Sequence, residues 1–168
     1  MPDKKSVDEV VSEVIQREDR TGSGVITNDP LDTGGRTQWG ISEKANPEVW
    51  ADGVLTEQER RDTYLKKYVK GPKFDLIPDA NLMAQLIDFG VNSGPGVATM
   101  KLQGILGVKV DGDLGPKTLE ALTKHDSREI NNLLMAERIK MIGRIVQKNP
   151  SQIKWLSGWL SRALEFLR

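Results

Sequence analysis

Val7, Val10, Val11, Val14 and Ile15 recur at i, i+3, i+4, i+7 and i+8, which is one face of an α-helix ending near Glu18. The segment 20–40 breaks that period. Its five Gly and its Asn28-Asp29-Pro30 cannot continue a helix, and they predict turns or a small hairpin. Thr56-x-x-Glu59 is a capping box that opens a helix to about Lys70, with Tyr64 and Tyr68 four apart, and Gly71-Pro72 stops it. Leu82, Leu86 and Phe89 share one side of a helix over 79–92, and a further helix from Pro95 to Gly107 carries Val97, Met100, Leu102 and Ile105. Pro116 stands in the first turn of a helix over 116–125. Asp126-x-x-Glu129 opens a long helix to about Lys148, and Ser151 after Pro150 is placed to cap the last one. The pattern therefore predicts a mainly α chain with one small irregular or β-hairpin lobe near 20–41.

The length, 168 residues, suits one compact domain, or one domain with a closely packed C-terminal subdomain. With no Cys and a single His, His125, the chain has no disulfide, no thiol nucleophile and no Cys/His zinc site. Carboxylate chemistry stays open. The N-terminal residues contain no apolar core of a secretory signal, and no run of about 18 apolar residues occurs, so accumulation in the cytoplasm of the producing cell is expected. Charge is uneven although it sums to zero. Residues 1–60 hold 7 Lys/Arg against 13 Asp/Glu (net −6), and residues 61–168 hold 17 against 11 (net +6). Residues 127–168 alone hold 8 against 3 (net +5), a basic end that could dock on an anionic polymer or merely form solvated helix faces. No Lys/Arg cluster is interleaved with aromatics, so nucleic acid is not an expected partner.

Glu18 closes the first helix, and Asp29 and Asp32 lie in the Gly-rich turn that follows. Glycoside hydrolysis needs two carboxyl groups in different environments, one protonated as acid and one ionised. Negative charge at a helix C-terminus is mildly disfavoured by the macrodipole, which suits a proton-donating carboxyl. A plain surface Glu at a helix end is the alternative reading. Asp29, directly before Pro30, suits a turn-forming role.

Asn28-Asp29-Pro30-x-Asp32-x-Gly34-Gly35-x-Thr37-x-Trp39-Gly40-Ile41 resembles the signature of the phage-endolysin N-acetylmuramidases of glycoside hydrolase family 108, with Glu18 at the place of that family's catalytic Glu. The family commonly has Glu-Gly-Gly-Tyr and a short step to Asn-Asp-Pro. Here that step, through Asp19-Arg20-Thr21-Gly22-Ser23-Gly24-Val25, is about five residues longer, an inexpensive change for a loop. The resemblance implies a lysozyme-like α+β fold, with a catalytic region over 1–92 and a helical peptidoglycan-binding region over 93–168 packed with it as one unit. It implies hydrolysis of the β-1,4 bond between N-acetylmuramic acid and N-acetylglucosamine. Glu18 would act as general acid and Asp32 as second carboxylate, with Thr37 helping to hold a water. Carboxyls about 6.5–9.5 Å apart would give inversion, the expected outcome here. Thr37 read as a strand residue is an equally simple account.

Trp39 stands where the family has an aromatic that stacks on a sugar, although burial in the core is an equal reading. Asp88-Phe89-Gly90-Val91-Asn92-Ser93-Gly94, with Leu102-Gln103 beyond it, resembles the family's second block. It implies Asn92 and Gln103 as hydrogen-bonding partners of the sugar, unless they cap helices. Val110-Asp111-Gly112-Asp113-Leu114-Gly115-Pro116-Lys117-Thr118 resembles a turn of peptidoglycan-binding modules and lacks the later ligands of a calcium loop. Trp155, Trp159 and Arg162 lie on adjacent turns of the most apolar helix, read as core packing or as a membrane-active face. By the same resemblance the chain is a monomer that needs no cofactor or metal, acts on peptidoglycan glycan strands, and reaches the wall after a holin permeabilises the host membrane. A lytic transglycosylase using Glu18 alone, or a non-catalytic wall-binding or secretion-accessory protein, are the competing readings.

Overall fold

The structure, a computed structural model, describes residues 5–18, 24–28 and 35–167. Asp29 and Asp32 lie outside the described residues. Seven α-helices run through the described part: α1 (Val7–Glu18), α2 (Glu57–Leu65), α3 (Ala80–Ser93), α4 (Pro95–Leu106), α5 (Pro116–Leu122), α6 (Ser127–Lys148) and α7 (Ile153–Leu164). One two-stranded antiparallel sheet, β1 (Thr37–Gln38) and β2 (Ile41–Ser42), forms the small lobe. This is the mainly α chain with one small hairpin lobe that the hydrophobic period predicts, and it agrees with the lysozyme-like fold that the resemblance implies.

α3 is the axis. Its residues from Leu82 to Gly90 are all buried, so it is enclosed on every side by its neighbours, and it carries two polar side chains, Gln85 and Asp88, into the interior. Asp79 caps it by accepting from the N–H groups of Asn81 and Leu82 (3.0 and 2.9 Å). α4, α6 and α1 pack around it. α1 contributes Val10, Val11 and Val14, each worth about 1.5–3 kcal/mol on burial. Gly94, at φ +92°, makes the sharp turn from α3 into α4 that residues with a Cβ rarely adopt.

α2 begins with the expected capping box, Thr56 and Glu59 each bonding back to the other. It then widens into a π-helical turn at Lys66–Lys70, so the helical stretch does reach Lys70. The short 3₁₀ turns Pro47–Trp50, Phe74–Leu76 and Pro150–Gln152 have too few residues to leave a period in the sequence. The last of these displaces the expected cap. Pro150 starts the 3₁₀ turn, so Ser151 lies inside it and bonds to Asn149 rather than capping α7.

α7 returns along α6. It docks through buried Ala163 and Phe166 and through Asn131, whose side-chain amide donates to the Phe166 carbonyl (2.6 Å). That docking brings the end of α7 against the end of α1.

Candidate active site

Glu18 is the last residue of α1, and its side chain keeps 32% of its surface accessible. It faces an open cleft of about 880 Å³ whose other walls include Asn92 from α3 and Lys154, Trp155, Trp159 and Arg162 from α7. Arg162 Nη1 donates to Glu18 Oε1 at 2.7 Å. One residue earlier, Arg17 pairs with Glu165 at 2.6 Å, and its guanidinium lies 5.7 Å from the Phe166 ring centroid. Two ion pairs of opposite polarity thus clamp α1 to α7 beside the carboxylate.

Behind Glu18 lies Asp88, with no accessible surface. A carboxylate taken out of water is retained only with strong compensation. Three guanidinium groups provide it here: Arg138 at 2.7 Å, Arg162 at 2.9 Å and Arg17 at 3.4 Å. Arg162 therefore bridges a buried anchor and an accessible carboxylate, which fixes the direction of Glu18 from α7. Burial works against the charge on Arg162, yet Asp88 and Glu18 together raise its pKa. For Arg138 burial dominates and lowers the pKa despite Asp88. Tyr64 lies within the field of Glu18. Burial pushes its phenol well above the ordinary value, and the charges of Glu18 and Tyr68 push it further.

The comparisons with known proteins agree with this layout. The model of "Glycosyl hydrolase 108" matches residues 11–94, half of the chain, and that of "Predicted Peptidoglycan domain" matches residues 97–164. The chain belongs to the glycosyl hydrolase 108 family. It is a glycoside hydrolase that acts on peptidoglycan. The solved structure of Brucella abortus SagA is similar at 30% identity, with a TM-score of 0.67 over 95% of this chain and 94% of that one. No curated protein matches. Among the described residues no three His, Cys, Asp or Glu side chains gather where they could hold a metal ion, and no helix is long and apolar enough to cross a membrane.

In this family 108 enzyme the cleft is built from both matched regions. Glu18 and Asn92 come from the first, and Trp155, Trp159 and Arg162 from the second. Asn92 uses its amide N–H to bond the Asp88 carbonyl at 2.9 Å, as a residue on the last turn of a helix would. Its side chain also borders the cleft, so the sequence expectation and its alternative both describe it.

Thr37 lies on β1, bridged to Thr27, and its hydroxyl points back to the Gly35 carbonyl at 3.4 Å. Trp39 is the first residue of the two-residue turn between β1 and β2, at φ +51°, where an indole is rarely found. Its ring is half-buried, with the Arg60 guanidinium 4.8 Å from its centroid, and its carbonyl accepts from Tyr64 (3.4 Å). Gly24 packs so close that an added Cβ would stand 2.8 Å from the indole. Trp39 thus has a packed ring rather than an open stacking face. Neither Thr37 nor Trp39 is among the described walls of the Glu18 cleft.

Gln103 corrects the sequence reading. It is 1% exposed, and both ends of its amide hold the Asp111-Gly112-Asp113 turn. Its Oε1 accepts from the N–H groups of Asp111 (3.0 Å) and Gly112 (2.9 Å), and its Nε2 donates to the Asp111 carboxylate (2.8 Å) and the Asp113 carbonyl (2.9 Å). A side chain so engaged has nothing to offer a sugar. Gln103→Leu is expected to destabilise the fold by about 1–3 kcal/mol through unsatisfied buried groups while leaving KM for peptidoglycan unchanged, as thermal unfolding and kinetics would measure.

The Asp88–Arg138–Arg162 cluster is the part that sequence reasoning missed. An Asp inside the apolar run Leu86-Ile87-Asp88-Phe89 was the available signal, because a buried charge requires a partner. The cluster also revises the basic C-terminal end. Of its eight basic residues, Arg138 and Arg162 neutralise Asp88 and Glu18 inside the molecule rather than facing an anionic polymer.

Proposed function

We propose that this enzyme hydrolyses the β-1,4 bond between N-acetylmuramic acid and N-acetylglucosamine, with Glu18 as general acid and Asp32 as the second carboxylate. The observation that carries the reading is Glu18 itself, an accessible carboxylate at a helix end, held by Arg162 and facing a cleft walled by indoles and an amide. Sugar rings stack on aromatic faces, and N-acetyl groups need an amide partner, so the cleft suits an N-acetylated glycan. In the reaction the Glu18 carboxyl gives its proton to the glycosidic oxygen as the bond to the anomeric carbon breaks. A water attacks that carbon from the other side and loses its proton to Asp32. The product has the inverted configuration. Asn92 binds the substrate. By the resemblance of residues 28–41 the protein is a monomeric phage endolysin that meets the wall after a holin opens the membrane.

Asp32→Asn and Asp29→Asn test the second carboxylate. Asp32→Asn should abolish most release of soluble muropeptides from purified peptidoglycan while the melting temperature holds. Asp29→Asn should chiefly destabilise the turn, by about 0.5–2 kcal/mol if a local hydrogen bond weakens. Full turnover by Asp32→Asn would remove that residue from the mechanism.

A further inference from the structure

α7 buries little of its apolar surface. Only Ala163 within it is buried, and Ile153 and Trp155 stand exposed, Trp155 with 49% of its surface accessible. The two tryptophans are four residues apart, so they sit one above the other about 5–6 Å apart at Cβ. Both border the cleft that contains Glu18. Trp159 has a second role. It also walls a side cavity of about 100 Å³, lined by the apolar Met141, Ile142 and Ile145 from α6 and by the polar Asn92, Ser93 and Arg138. Asn92 lines both spaces, and its amide N–H is already bonded to the Asp88 carbonyl, which leaves its side-chain carbonyl as an acceptor.

From this geometry we propose that Trp155, Trp159 and Asn92 form a binding subsite for an N-acetylated pyranose, in which the sugar ring lies on the α7 indoles and its acetamido group enters the side cavity. The methyl group meets Met141, Ile142 and Ile145, and the amide N–H donates to Asn92. The side cavity has the size for an acetamido group, with an apolar wall for its methyl and polar side chains for its amide. The Lys154 ammonium lies 5.3 Å from the Trp155 ring centroid and steadies that indole at the rim. The occupant is the glycan rather than a lipid surface, because both indoles border the cleft that contains Glu18. This inference rests on the proposed reading of the cleft and extends it to the helix that the peptidoglycan-domain match covers.

The test uses full-length Glu18→Gln protein, which binds without turnover, titrated calorimetrically with chitotetraose and with cellotetraose, the same backbone lacking acetamido groups. Chitotetraose should bind and cellotetraose should bind at least tenfold more weakly. Trp155→Ala should weaken chitotetraose binding roughly three- to tenfold, the loss expected for one stacking contact, with Trp155→Phe recovering part of it. Trp155 is exposed, so its melting temperature should hold, and in the active protein Trp155→Ala should raise KM more than it lowers kcat. Equal binding of the two sugars, or unchanged binding by folded Trp155→Ala, would overturn the subsite. So would Trp155-dependent binding to phosphatidylglycerol vesicles in the absence of sugar binding. Loss of the catalytic reading would look different: chitotetraose would still bind in a Trp155-dependent way while wild-type protein released no glycan fragments.

Discussion

Glu18→Gln is expected to lose about 10²–10⁴-fold in the rate of peptidoglycan hydrolysis, because an amide of the same size cannot deliver the proton to the leaving oxygen. The fold should hardly notice. Glu18 is accessible, and its contact with Arg162 is one of two that this guanidinium makes, the other being to buried Asp88. An exposed ion pair contributes about 0–1 kcal/mol, so the melting temperature should move by a few degrees at most. Turnover within tenfold of wild type would remove Glu18 from the acid role.

Asp88→Asn should show the reverse pattern, a large loss of stability. The substitution preserves shape and removes the only negative charge the described structure gives Arg138, whose side chain is almost wholly buried. Removing one partner of a buried ion pair typically costs about 3–5 kcal/mol, since the remaining charge stays out of water. For a chain of this size that corresponds to a melting temperature lower by about 6–20 °C. Activity measured well below the new transition should also drop, because Arg162 loses the anchor from which it directs Glu18. A melting temperature within about two degrees of wild type would show that the three arginines find compensation elsewhere.

The helices were legible because each carries a local signal. The Val7–Ile15 stripe, the Thr56–Glu59 box, Pro116 at a first turn and Asp126 ahead of α6 each fix an element from a few neighbouring residues. The hairpin lobe followed from glycines that could not stay helical, although its strands proved only two residues long. The place of Glu18 at the end of α1 was legible for the same reason. Gln103 was misread because its sequence neighbours cannot reveal that the turn at Asp111–Asp113 folds back onto both ends of its amide. Arg162 lies 144 positions from Glu18 and 74 from Asp88, separations that no local pattern encodes. The tryptophans of α7 show the same limit. Their spacing gave the helix face, but only the docking of α7 against α1 turns that face towards the carboxylate.

The central claim, glycosidic hydrolysis directed by Glu18, is tested most directly by mass spectrometry of muropeptides released from purified peptidoglycan. Wild-type protein should generate new reducing ends on N-acetylmuramic acid, and Glu18→Gln protein almost none. Products lighter by one water, carrying anhydro-muramoyl ends, would contradict hydrolysis, and equal release by both proteins would contradict the role of Glu18.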